Sequence, residues 1–219
     1  MFPKSGTQHL LEGHHVFGKL ASDVLGMSDI GQIIGPDDYN KTESDDYVMH
    51  EDGEKIYFLI KSKTDEYCFT NHSLIHLDGT SAMSKKRTLH RYAYYRYRVS
   101  QVYLETAGSM DMDVEIKFQL HEKKFSIDVN KKQLEQLKDL YKALHKIAEV
   151  QAGNHYHEEM AHKSLDLALT AMGRVNKADI KMDEELRKLT DFIQGYYSDT
   201  RTRYWRHDFS EVFEKYINN

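Results

Sequence analysis

The fold of this chain is decided between residues 67 and 129, where short apolar runs are separated by turn residues. This region opens with Tyr67-Cys68-Phe69-Thr70-Asn71-His72-Ser73-Leu74-Ile75-His76-Leu77-Asp78-Gly79. Its two β-rich runs, 67–70 and 74–77, flank Asn71-His72, and this arrangement predicts a tight hairpin. Residues 113–120 alternate between apolar and polar side chains, as a strand does when one face lies in the core and the other in water. We therefore predict a small antiparallel β-domain.

Further strands are predicted on both sides of these runs. Residues 56–61 are apolar on both faces, and residues 88–97, 99–106 and 125–129 bring the set to about seven strands. After the last strand, Asn130 is a predicted helix N-cap, with Gln133 three positions later as in a capping box. Apolar residues at helical spacing follow, namely Leu134, Leu137, Tyr141, Leu144 and Ala148. This amphipathic helix is expected to close one end of the β-domain.

The segments before and after the β-domain are predicted to be helical, so the fold class is α+β. We expect a helical extension over residues 1–40, the β-domain over 41–151 and an all-helical tail over 152–219. The boundary of the tail is set by Gly153-Asn154, which is expected to interrupt the preceding helix. Residues 37–52 are acidic and polar, which predicts a solvated lead-in to the first strand.

The tail carries apolar stripes that are too regular to be buried within one helical hairpin. Such stripes indicate a second protein surface, so we expect the tail to drive self-association, with the protein itself as its partner. The residues predicted to form this interface are Met160, Leu167, Met182, Leu186, Leu189, Ile193, Trp205, Phe209 and Phe213.

Composition limits the compartment and the partners of the protein. The formal net charge is −5 over 219 residues, so the surface as a whole does not attract nucleic acid. A single cysteine, Cys68, excludes an internal disulfide and fits a reducing compartment. The first residues lack the apolar segment of a secretory signal, and no apolar run reaches the ~20 residues of a membrane span. We therefore expect a cytoplasmic protein.

A histidine-rich segment resembles a metal site only superficially. His155, His157 and His162 lie on one predicted helix, but a zinc-binding helix needs two histidines four residues apart. His157 and His162 are five apart, so a solvated helix is the better interpretation.

Other signs of catalysis or metal binding are weak. Asp111, Asp113 and Glu115 lack the glycine and the terminal glutamate of a calcium-binding loop. Cys68 lies inside a predicted strand without a histidine patterned beside it, which favours a buried thiol over a nucleophile. The sequence has no phosphate-binding loop, dinucleotide fingerprint or nucleophile elbow. We expect no catalytic activity, no cofactor and no metal.

Residues 85–98 allow two interpretations. Arginines interleaved with aromatic side chains suit the binding of phosphates, but tyrosine and arginine are also enriched at protein interfaces. An interface or an ordinary surface is one reading, and a peripheral membrane binder that contacts phosphate headgroups is the alternative. The candidate headgroup patch consists of Lys85, Lys86, Arg87, Arg91, Arg96 and Arg98.

Two groups of residues resemble the bacterial pleckstrin-homology (PH) domains. The first is Tyr67-x-Phe69-Thr70-Asn71-x-x-Leu74-Ile75-x-x-Asp78, with Lys85-Lys86 following it. The second is Val102-x-x-Glu105-Thr106-Ala107-Gly108-x-x-Asp111-x-Asp113. This resemblance covers roughly residues 50–150. The tail from about residue 152 resembles the YvbH-like oligomerisation region that follows this domain in some bacterial members.

The resemblance implies two packed, roughly orthogonal antiparallel sheets, closed into a barrel or sandwich by a C-terminal helix and followed by a helical hairpin. It also implies ring-like homo-oligomers in which the hairpin adds contacts between subunits. No catalytic or binding residue carries over, because the role of the family is largely undefined. Eukaryotic relatives bind phosphoinositides through basic residues in the first strand-to-strand loop. Here that loop, residues 61–66, has no arginine and ends in two acids, which argues against inositol phosphate binding there.

Overall fold

The structure, a computed structural model, describes residues 29–79, 86–106, 108, 113–173 and 182–217. The helix predicted within residues 1–40 on the apolar residues between Leu10 and Leu25 lies outside the described residues. Among the described residues there are eight strands, in chain order β1 (Gln32–Ile34), β2 (Ile56–Lys61), β3 (Glu66–Thr70), β4 (Ser73–Gly79), β5 (Arg87–Ala93), β6 (Val99–Glu105), β7 (Asp113–Leu120) and β8 (Lys123–Asn130).

The strands form two antiparallel sheets. The larger has the order β1-β2-β3-β4-β5 and the smaller the order β6-β7-β8. The predicted hairpin at Asn71-His72 is confirmed, since Phe69 pairs with Leu74 and Cys68 with Ile75. Along β7, side chains alternate between buried and half-buried positions as the period of two predicted. The α+β class with two antiparallel sheets is confirmed.

One hydrophobic core lies between the two sheets and the long helix α1 (Leu134–Gly173). Phe58 and Phe69 enter it from the larger sheet, and Ile116 and Phe118 enter it from the smaller one. The apolar stripe of α1 closes the remaining side with four fully buried residues, Leu137, Leu140, Leu144 and Ile147. Replacing one such side chain by alanine typically costs about 2–5 kcal/mol, so this part of α1 is integral to the β-domain.

The outer face of the larger sheet has a core of its own. Because β2 is apolar on both faces, Leu59 points away from the main core and joins Val48, Cys68 and Ile75 in a second cluster. Cys68 has no exposed surface, which confirms the prediction of a buried thiol.

Three 3₁₀ helices cover this second cluster, Pro36–Lys41, Glu43–Tyr47 and His50–Asp52. The prediction of a solvated lead-in over residues 37–52 is therefore wrong. Within this segment Ser44 is fully buried, and Val48 is 6% exposed. The segment contains few apolar residues, and the buried ones follow no periodic pattern in the sequence.

The chain enters the β-domain through a close contact between the two sheets. Gly31 forms an isolated bridge to Val129 of β8, and its amide donates to the Asp128 carbonyl at 2.8 Å. A Cβ on Gly31 would lie 2.6 Å from Ile60 Cγ2, so a glycine is required for this approach. Residues just before the predicted boundary at 40 thus belong to the larger sheet.

The 3₁₀ turn Lys131–Gln133, which leads directly into α1, agrees with the prediction from the sequence at Asn130 and differs from it at Gln133. Asn130 Oδ1 accepts from the Lys132 amide at 3.0 Å, as an N-cap does. Gln133 instead binds the backbone of Ile33, accepting from its amide at 2.8 Å and donating to its carbonyl at 2.9 Å. The residue expected to complete a capping box holds β1 in place.

The tail, residues 152–219, contains the second half of α1, followed by α2 (Met182–Tyr204) and α3 (Ser210–Tyr216). The predicted interruption at Gly153-Asn154 is wrong, because α1 continues through it for 40 residues in total, about 60 Å at the usual helical rise. One glycine in a helix interior costs only about 1 kcal/mol, which the packing of a long helix offsets. None of the described helices has the length and apolar composition to cross a membrane.

Helix α3 returns to the β-domain. The Phe209 amide donates to the Asn71 carbonyl at 3.0 Å, and both Phe209 and Phe213 have no exposed surface. Phe213 stacks on Tyr57 with centroids 5.2 Å apart. These two phenylalanines were predicted to contact another subunit. The structure instead places them in the core of their own chain, because the chain turns back after α2.

Candidate functional site

The arginine- and tyrosine-rich stretch is divided between two places. Arg87 and Arg91 lie on β5, at an edge of the larger sheet, whereas Arg96 and Arg98 follow in the turn before β6. Arg87 Nε donates to Glu43 at 3.4 Å, which ties it to the acidic segment before β2. Of the rest of the predicted headgroup patch, Lys85 lies outside the described residues and Lys86 is exposed.

Arg91 is held by Glu54, a residue that is only 1% exposed. Arg91 Nη1 lies 2.9 Å from each carboxylate oxygen of Glu54 and 3.1 Å from Ser73 Oγ. Its second terminal nitrogen donates to the Tyr47 carbonyl. Arg91 therefore fastens β5 to the acidic segment, a structural role that the sequence did not indicate.

The electrostatics of Glu54 support an ion pair. Burial by itself raises the pKa of this carboxyl, because the charged form loses its hydration. Hydrogen bonds from Thr70, the Met49 amide, Arg91 and Ser73 outweigh that effect, so the pKa of Glu54 lies below its ordinary value. The carboxylate is therefore charged at neutral pH.

The loop between β2 and β3 is also occupied by internal contacts. Lys61 pairs with Glu66, and Asp65 Oδ1 lies 3.0 Å from His76 Nε2. Burial raises the pKa of Glu66, but Lys61 and the Ser44 amide more than compensate, and the pKa is lowered. Within this loop Lys61 and Glu66 therefore neutralise each other, and Asp65 is bonded to His76 of β4.

The turn between β5 and β6 is fixed to α1 by Gln151, which is 7% exposed. Gln151 Nε2 donates to the Tyr94 carbonyl at 2.6 Å, and its Oε1 accepts from the Val99 amide at 2.7 Å. One amide side chain thus satisfies the backbone at both ends of the turn. Residues 95–98 are held against the long helices as a result.

A cleft of about 260 Å³ lies between this turn, the β7–β8 turn and the helical tail. Its wall contains three guanidinium groups, two imidazoles and one carboxylate, contributed by Arg96, Arg98, Arg206, His121, His155 and Glu158. The β-domain and the tail both supply residues, so the cleft brings Arg96 and Arg98 of the predicted headgroup patch close to His155 of the histidine-rich segment.

One wall of the cleft is aromatic. Trp205 Nε1 donates to Glu158 Oε1 at 2.9 Å, and the Tyr95 ring lies 6.3 Å from the Trp205 ring. The Arg201 guanidinium lies 4.7 Å from the Trp205 centroid, within the range of a cation–π interaction. Trp205, predicted to contact another subunit, contacts the β5–β6 turn and α1 of its own chain and remains 36% exposed.

Helices α1 and α2 form an antiparallel pair, which we call the hairpin. His157 stacks on Tyr204 and His162 packs against Tyr197, with centroids 5.8 and 5.2 Å apart. His155 lies 3.8 Å from Glu159. The three histidines of the histidine-rich segment therefore have separate neighbours. Among the described residues, no group of three or more histidine, cysteine, aspartate or glutamate side chains is placed to hold a metal ion.

The hairpin leaves large apolar side chains in water. Leu167 is 72% exposed and Phe192 is 58% exposed. Of the other residues predicted for the interface, Met160, Leu189 and Ile193 are half-buried, and the side chains of Met182 and Leu186 lie outside the described part of the structure. Phe192 was missed because it lies beside the apolar stripe of α2 rather than on it.

A five-stranded and a three-stranded antiparallel sheet, closed by the helix that follows them, define a PH-like domain, and a helical hairpin extends from it. Residues 24–148 match the family model of the bacterial PH domain, and residues 159–219 match that of the YvbH-like oligomerisation region. The chain belongs to the bacterial PH domain family. The resemblance stated from the sequence is confirmed.

Two relatives are similar over most of the chain. The "uncharacterized protein YvbH" of Bacillus subtilis is 54% identical over 204 residues, which are 93% of this chain and 100% of that protein. A PH domain-containing bacterial protein from Exiguobacterium sibiricum, known from a crystal structure, is 51% identical to this chain in sequence. It covers 87% of this chain and 100% of its own, with a TM-score of 0.81.

Proposed function

We propose that this protein is a non-catalytic interaction module that assembles with copies of itself through the hairpin of α1 and α2. The observation that carries the proposal is the exposure of Leu167 and Phe192, at 72% and 58%. Fully burying a large apolar side chain is worth about 1.5–3 kcal/mol, and exposed apolar patches commonly mark interaction sites. A second copy of the hairpin offers the same side chains in return.

The family match supports this assignment, because the YvbH-like oligomerisation region spans residues 159–219. Within that range, α3 fills the core of its own chain through Phe209 and Phe213, so we assign the contact between subunits to the hairpin. The proposed interface keeps four predicted residues and adds Phe192. These residues are Met160, Leu167, Leu189, Ile193 and Phe192.

The alternative function, membrane binding through residues 85–98, has less support. Arg87 and Arg91 pair with Glu43 and Glu54, so two of the six cations are already matched by carboxylates within the chain. The remaining arginines, Arg96 and Arg98, line the cleft beside the hairpin, which Arg87 and Arg91 do not line.

Cross-linking at a single engineered cysteine tests the proposal. Leu167→Cys introduces an exposed thiol, whereas the natural Cys68 is fully buried and is expected to stay unreactive while the chain is folded. A short bis-maleimide is expected to produce covalent dimers of Leu167→Cys, detected on denaturing gels.

Leu89→Cys is the matched control, since Leu89 is 43% exposed on β5, away from the hairpin. We expect it to remain largely monomeric on the same gels. Equal, weak cross-linking of both variants over a range of protein concentrations would contradict assembly through the hairpin.

A further inference from the structure

We propose that the cleft between the β5–β6 turn and the hairpin is a binding site for a small phosphate-bearing anion. This inference does not depend on self-assembly. It rests on the charge of the cleft, on the rigidity of its wall and on its size.

Positive charge is concentrated in the cleft although the whole chain carries a net charge of −5. Three guanidiniums line it, against the single carboxylate of Glu158. Arg206 has a carboxylate partner in Glu211, at 3.0 Å. Within the described part of the chain, no carboxylate forms an ion pair with Arg96 or Arg98. These two guanidiniums therefore retain charge that an external anion would satisfy.

The two arginines are held on a fixed frame. Gln151 binds the turn at Tyr94 and at Val99, on either side of Arg96 and Arg98. The Arg98 carbonyl also accepts from the amide of His121, at 2.9 Å. This bond joins the β5–β6 turn to the turn between β7 and β8. Since the backbone of this turn is already ordered, binding of a ligand does not carry the additional cost of ordering a loop.

The size of the cleft limits the ligand. Its volume of about 260 Å³ lies just below the ~300–1,000 Å³ of sites for drug-sized molecules. Guanidinium groups recognise phosphate through paired, charge-assisted hydrogen bonds, and Trp205 and Tyr95 offer flat apolar surface beside them. Inorganic phosphate or a phosphomonoester group fits these properties. Such a group occurs on soluble metabolites and on lipids, and the experiment separates the two sources.

Tryptophan fluorescence can report binding in the cleft, because Trp205 is the only tryptophan in the sequence and lines the cleft. Inorganic phosphate is titrated at constant ionic strength while Trp205 fluorescence and the heat of binding are followed. We expect saturable binding with a Kd on the order of 1 mM or tighter. Arg98→Gln is expected to weaken it by about tenfold or more.

The matched control is Arg187→Gln, which removes the same charge from an exposed position of α2 outside the cleft. It should bind phosphate as the unaltered protein does. In parallel, co-sedimentation with phosphatidylglycerol vesicles, compared with phosphatidylcholine vesicles, tests the lipid source. Binding to anionic vesicles alone, lost in Arg98→Gln and kept in Arg187→Gln, would support the site with a lipid headgroup as its ligand.

Two results would overturn the inference. One is the absence of binding to both phosphate and anionic vesicles, by fluorescence and by calorimetry. The other is binding that Arg98→Gln and Arg187→Gln reduce equally, since that is a response to net charge. Light-scattering masses of both variants, which we expect to equal that of the unaltered protein, keep this outcome separate from any failure of assembly.

Discussion

Gln151 and Val99 are joined by a hydrogen bond of 2.7 Å between the side-chain oxygen of one and the backbone amide of the other. The bond links the middle of a 40-residue helix to the first residue of β6. It fixes the turn that carries Arg96 and Arg98, and so connects the PH-like domain to the hairpin at the cleft.

Removing this side chain should destabilise the domain. Gln151→Ala leaves the Val99 amide and the Tyr94 carbonyl without their partner, and we expect the free energy of unfolding to fall by about 2 kcal/mol or more. Chemical denaturation followed by circular dichroism measures this loss. Gln119→Ala, which removes an exposed amide bonded to Gln101, is expected to change stability by less than about 0.5 kcal/mol. Equal effects of the two substitutions would contradict the role given to Gln151.

The Glu54–Arg91 pair predicts a second loss of stability. Arg91→Met leaves the carboxylate of Glu54, which is 1% exposed, without its cation, and we expect a cost of about 3 kcal/mol. The measurement is the urea midpoint at neutral pH. Arg187→Met, at an exposed position of α2, should leave that midpoint nearly unchanged. If the midpoint of Arg91→Met were unchanged as well, Arg91 would not be needed to balance the buried carboxylate.

The lowered pKa of Glu54 predicts acid sensitivity. Burial opposes the shift, but four hydrogen bonds outweigh it, so the folded state binds this proton more weakly than the unfolded chain, whose glutamate pKa is about 4.3. The stabilisation is therefore complete above the unfolded pKa and is lost as the pH falls through the folded pKa. We expect the free energy of unfolding to fall below about pH 5, and Glu54→Gln to show a shallower fall. Identical slopes would exclude this contribution.

Helix α3 is predicted to act as part of the core. Phe213→Ala would leave a cavity at a fully buried site, and we expect a loss of about 3–5 kcal/mol in the free energy of unfolding. Tyr103→Ala, at a position that is 57% exposed on β6, should cost no more than about 0.5 kcal/mol. Denaturation of both variants provides the comparison, and a small effect of Phe213→Ala would mean that α3 does not complete the core.

Most of the β-domain could be predicted from the sequence, because the patterns that indicate its strands and turns are local. The period of two in residues 113–120, the Asn71-His72 hairpin and the Asn130 cap each depend on neighbours in the chain. Their prediction needed no knowledge of the fold.

Contacts between distant segments could not be predicted from the sequence. Arg91 and Glu54 are 37 positions apart, and Gln133 and Ile33 are 100 apart. A charge pattern cannot tell an arginine paired within the chain from one that faces a ligand. Likewise, the apolar spacing of Phe209 and Phe213 marks a buried face without saying which surface buries it. For the same reason the cleft could not be predicted, since four separate parts of the chain form it.

The most direct test of hairpin-mediated assembly is the light-scattering mass of the full chain after size exclusion. Assembly through the hairpin predicts a multiple of the 25.7 kDa chain mass, and a lower mass for Leu167→Lys, because a charge cannot be buried between two hairpins without a partner. Leu89→Lys is expected to keep the mass of the unaltered protein. A mass of one chain for the unaltered protein, or an equal mass for it and Leu167→Lys, would contradict assembly through the hairpin.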